Sequence, residues 1–168
     1  MTVPAGRARA RVSAYAAASG VDANGPLASL QGNAVTFNAL SLDAQGRPVP
    51  VMHSDDSFVL LFGRPTPAQL ERAIATATRP FPAGLLTPVG MLVTNPVFAA
   101  PEVRARFTNA EYFGTVVWSW QQAMMTAGSG LQAAGRSRST RRAARTSGAL
   151  YWHSCSIASW YDNVFTPR

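Results

Sequence analysis

The strongest constraint on this chain is a run of 13 residues, Thr115–Ala127 (TVVWSWQQAMMTA), that contains no charge. Wound as a helix from a Thr115 cap to a Gly128 stop, it places Val116, Trp120, Met124 and Ala127 on one face. Val117, Gln121 and Met125 fall on another. A helix apolar nearly all round belongs inside a larger helical assembly rather than on a surface. The rest of the chain offers little with which to cover it. Charged residues make up only 14% of the 168, against the usual quarter, while 47% are hydrophobic. Such a chain must bury much of its length or aggregate, and its length suffices for one ordinary domain.

The formal net charge of +7 invites a nucleic-acid reading, but its distribution argues otherwise. Every basic residue is arginine. Residues 1–130 hold nine arginines and seven acids, a net of +2, whereas residues 131–168 hold six arginines and Asp162 alone, a net of +5. The body is thus nearly neutral and carries no basic footprint. A single cysteine, Cys155, excludes an internal disulfide and a cysteine-built zinc site, and neither His53 nor His153 has metal-ligand spacing. No metal or cofactor is expected. The longest apolar runs, such as Phe58–Phe62, are too short to span a bilayer. Met1–Arg11 lacks the apolar run of a secretory signal, which leaves a cytoplasmic location as the default expectation.

Local patterning predicts a mainly helical chain with one small β-hairpin. Residues 7–19 are alanine-rich and helix-permissive, with Gly20 as the stop. Asp22–Gly32 reads as loop. Ala34–Leu42 alternates as a strand, residues 43–46 turn, and Arg47–Met52 returns as an edge strand marked by Pro48 and Pro50. Ser54, Asp55 and Asp56 suit the start of a helix through Phe62, although a buried strand is the rival for so short a run. Thr66-Pro67-Ala68-Gln69 is a capping box with proline at the first helical position. The helix it opens presents Leu70, Ala73, Ile74 and Ala77 on one face and stops at Arg79-Pro80. Pro80–Asn95 is punctuated by proline and glycine and reads as a loop held by its surroundings. Pro101–Phe107 suits a short helix. Beyond Gly130 the arginine/serine run Gly135–Arg145 has no apolar periodicity and is expected to be solvated or disordered. Residues 1–130 and 131–168 therefore read as a body and an atypical tail.

Two clusters carry a resemblance. The first is Phe81-Pro82-Ala83-Gly84-Leu85-Leu86-Thr87, followed by Asn95-Pro96 and by Tyr112-Phe113-Gly114-Thr115-Val116-Val117-Trp118-Ser119-Trp120-Gln121-Gln122. The second, upstream, is Pro50-Val51-Met52-His53-Ser54-Asp55-Asp56-Ser57-Phe58. Together they resemble the late catalytic domain of six-hairpin (α/α toroid) glycosidases, the glycogen-debranching type and its relatives, over roughly residues 30–130. The resemblance implies a toroid fragment that acts on glucosidic bonds and takes a carbohydrate substrate. In the family this loop-to-helix junction opens into the cleft, a role that would fall on Tyr112, Gly114, Thr115 and Trp118. Gln121, His53 and Asp55 are further candidates for hydroxyl contacts. Phe113 departs from the pattern, standing where the family has a polar histidine.

The resemblance also implies that the chain is incomplete as a catalyst. Inverting hydrolysis needs two carboxyl groups about 6.5–9.5 Å apart. The family's acid lies before this region and its glutamate base after it, and nothing acidic follows Glu111 except Asp162. Catalytic residues are therefore unassigned, and little or no turnover is expected from this chain alone. An arginine/serine tail is also what an out-of-frame reading of a GC-rich gene yields; a glutamate-bearing continuation in another frame is the expected sign.

Blander readings stand beside these. Trp118 and Trp120 can be sugar platforms or simply core. Asp55 and Asp56 suit helix capping better than catalysis, and lie too close in sequence to straddle a bond. Gln121 and Gln122 are more specific, because buried amides require partners. Cys155 with His153 lacks an orienting third group and reads as a bystander. The rival function is a non-catalytic helical module whose Arg136–Arg145 engages nucleic acid or another polyanion non-specifically, with steep salt dependence. A scaffold without ligand is the third.

Overall fold

The computed structural model describes the backbone of residues 1–143 and the side chains of residues 1–135. Among these residues the chain is mainly helical, with six helices and four two-stranded antiparallel pairs. No described helix is long and apolar enough to cross a membrane.

Strand β1 (Thr2–Val3) leads into α1 (Ala5–Ser19), whose buried stripe is Ala8, Val12 and Ala16. That i, i+4, i+8 spacing of small residues lets α1 lie close on the core. Gly20, at φ 66°, ends it as expected, and Val21 N–H closes back on the Ala16 carbonyl at 3.1 Å. The next segment is not the loop its composition suggests, because α2 (Asn24–Ser29) forms there. The Asp22 carboxylate accepts from the Asn24 backbone N–H at 3.2 Å. Pro26 falls in the first turn, where its missing N–H has no helical partner to lose. A Gly-Pro pair that punctuates loops is therefore tolerated.

Strand β2 (Val35–Thr36) pairs with β1, not with the chain that follows it. The expected hairpin is shorter than its sequence pattern: β3 (Ser41–Leu42) pairs with β4 (Pro48–Val49), with Leu42 opposite Pro48. Its turn is built by Asp43, which accepts from the Gln45 and Arg47 backbone N–H groups and from Arg47 Nε, each within 2.9 Å. The Arg47 backbone bond, above all, holds the Asp43 carboxyl below its ordinary range. A depressed carboxyl contributes stability that is present at neutral pH and lost as pH falls through its folded value. In a pH titration followed by NMR, the Gln45 and Arg47 amides are expected to shift with a midpoint below that of a free aspartate; a midpoint at or above it would contradict the turn.

Strand β5 (Met52–His53) opens the segment that carries the site, and α3 (Asp56–Phe62) follows directly. Asp55 and Asp56 flank its start, but no side chain caps it, contrary to expectation: Asp55 accepts from Gln121, Asp56 from Asn38, and the Ser54 hydroxyl donates to the Val93 carbonyl. Helix α4 (Pro67–Thr78) shows the capping box in full, with Thr66 accepting from the Gln69 N–H and the Gln69 side chain accepting from the Thr66 N–H. The stretch after it is more ordered than its prolines and glycines suggest. Strands β6 (Leu86–Thr87) and β7 (Gly90–Met91) form a tight pair, and β8 (Thr94–Asn95) pairs back onto β5 with His53 opposite Thr94. Buried Asn95 ties the segment down by donating to the Pro82 and Gly84 carbonyls. The core runs through Val12, Phe37, Met52, Leu60, Leu85 and Val97, and Phe37 stacks on Phe98 at 5.5 Å.

The short helix α5 (Pro101–Arg104) precedes a looped segment and then α6 (Ser119–Ala143). Here the sequence expectation needs three corrections. The helix does not begin at Thr115, because residues 116 and 117 are extended: the Val116 carbonyl accepts from Val93 N–H, and Val117 bridges Leu92. Nor does it stop at Gly128 or reach a break at Gly130; it continues to Ala143, into the arginine/serine run. Gly128 is a contact residue. A Cβ there would lie 2.8 Å from Leu60 Cβ and 2.8 Å from Leu61 N, so glycine is what lets α6 cross α3 closely. All-round burial is absent as well. Gln121, Met125 and Gly128 face inward, while Ser119, Trp120, Ala123, Ala127 and Leu131 are exposed. The remainder of the tail, Ala144–Arg168, including His153 and Cys155, lies outside the described residues.

Candidate functional site

The junction between β5, α3, α6 and the loop at 107–118 holds all seven residues singled out by sequence. It begins with Gln121, in the first turn of α6 and 1% exposed. Its Oε1 accepts from the Ser57 hydroxyl and its Nε2 donates to Asp55 Oδ1, both at 2.8 Å. The amide thus joins the first turn of α6 to the first turn of α3, and a buried amide so bonded has one orientation. Asp55 remains 44% exposed, with its other oxygen 3.6 Å from His53 Nδ1. His53 is the anomaly. Its side chain is only 11% exposed, yet neither ring nitrogen has a hydrogen-bond partner among the described residues.

The loop is fixed from beneath. His53 and Thr94 lie opposite each other across the β5–β8 pair and so share a face of it. The Thr94 hydroxyl is shared between the Phe113 and Gly114 carbonyls, at 2.9 and 2.8 Å. Gly114 is buried, and a Cβ on it would collide with the Thr108 carbonyl oxygen. The Thr115 hydroxyl donates to the Phe107 carbonyl at 2.7 Å. Burial raises the Tyr15 phenol above its ordinary range; a hydrogen bond with Thr115 and the Arg104 charge oppose that shift. Gly114 and Thr115 therefore hold the loop rather than face outward, which differs from the cleft-lining role their resemblance implies.

Above this support the aromatic side chains form a continuous surface. Trp118 touches Tyr112 at 4.5 Å and Phe113 at 5.2 Å between ring centroids. Trp120 stacks on Trp118 at 5.4 Å, Phe58 meets Trp120 at 5.9 Å, and Phe62 meets Phe58 at 6.4 Å. Tyr112, Phe113, Phe58, Phe62 and Trp120 are all exposed, and Trp118 is half-buried among them. Exposed aromatic patches of this kind mark interaction surfaces.

Sequence reasoning missed Ser57, Phe58 and Phe62. The i, i+4 spacing of the two phenylalanines on α3 was the available signal, but it lay inside a run read only as apolar. Ser57 carried no signal, since its partner lies 64 residues away. Asp56 stands apart from the surface. It is buried and accepts from Asn38 Nδ2 at 2.7 Å, so Asp55 and Asp56 do not offer two carboxyl groups to one bond. No group of three or more His, Cys, Asp or Glu side chains among the described residues could hold a metal ion. When the chain is compared with protein-family models, curated proteins and solved structures, none matches it.

Proposed function

We propose that this chain is a segment of an α/α-toroid glycoside hydrolase, and that its Trp118-centred surface contacts the glucosidic substrate. The supporting observation is a juxtaposition. A wall of exposed aromatic rings runs beside a carboxylate, Asp55, whose orientation is set by the buried Gln121 amide. A sugar needs both kinds of group, because its ring has an apolar C–H face and a rim of hydroxyls. Indole and phenol rings cover the face, and Asp55, half open to solvent, accepts from a hydroxyl. His53 lies beside Asp55, its Nδ1 3.6 Å from the second carboxylate oxygen.

Binding is what these residues supply. Hydrolysis with inversion also needs an acid and a base across the scissile bond, about 6.5–9.5 Å apart. Asp55 and Asp56 are neighbours in sequence, and Asp56 is turned to Asn38. The expected result is weak, salt-insensitive binding of glucosides by the purified chain, abolished by Trp118→Ala, with no turnover. A measurable rate on an α-glucoside that is lost in Asp55→Asn would contradict the incomplete-catalyst reading. Steep salt dependence and indifference to Trp118→Ala would instead favour polyanion binding through Arg136–Arg145.

A further inference from the structure

We infer that the chain carries a second site, independent of the aromatic surface: a phosphate group, free or at the end of a small ester, binds at a cavity beside Arg7 and Arg11 of α1. The cavity has a volume of about 100 Å³ and is lined by these two arginines together with Thr2, Pro4, Pro50 and Phe98. A cavity of about 150 Å³ suffices for benzene, so this one takes a group of phosphate size and not a whole sugar ring.

Helix electrostatics disfavours both arginines where they stand. Arg7 lies in the first turn of α1, at the positive end of the helix dipole and in a turn without an acid. Arg11 follows four residues later on the same face, and like charges at that spacing repel. The ion pairs among the described residues are Arg47 with Asp43 and His53 with Asp55, so no carboxylate offsets either guanidinium. Local choices that run against the stability of the fold are expected at sites that bind something. Arg11 is half-buried, and the buried Phe98 gives the cavity an apolar wall; partial removal from water strengthens the pull of a guanidinium on an anion. The charge of the occupant follows from the pair. A carboxylate carries one negative charge and is matched by one guanidinium, whereas a phosphate monoester carries nearly two at neutral pH, which two guanidiniums match. There is room for one such group, not for the row of them that a nucleic-acid strand presents.

The test follows the Arg7 and Arg11 backbone amides of the full chain by NMR while inorganic phosphate, and separately glycerol 3-phosphate, is added at constant ionic strength. Saturable shifts at both amides are expected, and the tighter of the two ligands names the source of the group. Arg7→Gln should weaken binding about tenfold, through the loss of one charge-assisted contact. Because it also relieves the repulsion within α1, it should leave the ligand-free thermal midpoint unchanged or raised. Arg9→Gln removes the same charge from an exposed position of α1 that does not line the cavity. It should change affinity by less than about twofold. Equal weakening by Arg9→Gln would mean general attraction to a basic helix and would overturn the site. Shifts that never saturate, or an equal response to acetate, would overturn it too. A lowered ligand-free midpoint in Arg7→Gln would assign that arginine to holding the fold and contradict its role in binding.

Discussion

Gly128→Val is expected to lower the stability of the chain by about 3 kcal/mol, the upper range for forcing extra atoms into a packed contact. The clash cannot be relieved by turning a side chain. The new Cβ would sit 2.8 Å from Leu61 N and 2.9 Å from the Leu60 carbonyl carbon, both backbone atoms of α3. Helix α6 would have to lift away, and this is the main helix–helix contact of the fold. The built-in contrast is Gly130, two residues on, where a Cβ meets nothing within 4 Å. Gly130→Ala is expected to stabilise the chain by up to about 1 kcal/mol, the ordinary gain of alanine over glycine inside a helix. Thermal unfolding of the two variants should therefore move in opposite directions. A Gly128→Val protein as stable as the parent would mean that α3 and α6 do not pack as described.

The second large effect belongs to Gln121. Replacing it with leucine keeps the volume but removes the acceptor for Ser57 and the donor to Asp55. Leaving a buried hydroxyl without its partner costs about 1–3 kcal/mol, and losing a hydrogen bond to a charged group adds about as much again. The expected loss is about 3 kcal/mol by denaturant titration. Sugar affinity should fall as well, because Asp55 loses the bond that orients it. Ser57→Ala removes only the first bond and is expected to cost stability while sparing affinity. If both variants reduced affinity equally, the orienting role of the Gln121–Asp55 bond would not hold.

These two residues show what could be read from sequence and what could not. The capping box at Thr66–Gln69, the Gly20 stop and the helix at Asp56 were legible because each is decided within four or five residues. Gly128 was misread because glycine after an apolar run has two meanings. It ends a helix when the chain turns left-handed, and it allows a close crossing when another helix lies against it. Only the position of Leu60, 68 residues earlier, decides between them. Gln121 was marked as a buried amide in need of partners, and it is one. Its partners, Ser57 and Asp55, come from α3 and its edge, and no local pattern names them. Trp118 and Trp120 were open between core and platform; the structure leaves Trp120 exposed and Trp118 half-buried, on a surface shared with Tyr112 and Phe58. The two-residue strands fall below what alternation can detect, so β5 and β8, which hold His53 and Thr94 together, were read only as parts of a hairpin and a loop.

The proposed sugar-binding surface is tested most directly by NMR of the tryptophan indole N–H signals during titration with maltoheptaose. The chain has four tryptophans: Trp118 and Trp120 in the proposed site, and Trp152 and Trp160 in the tail. The expected result is saturable shifts of the Trp118 and Trp120 signals at both low and high salt, with the Trp120 shift lost in Trp118→Ala and Trp152 and Trp160 unmoved. Shifts confined to Trp152 and Trp160, or no shift at any concentration, would contradict it.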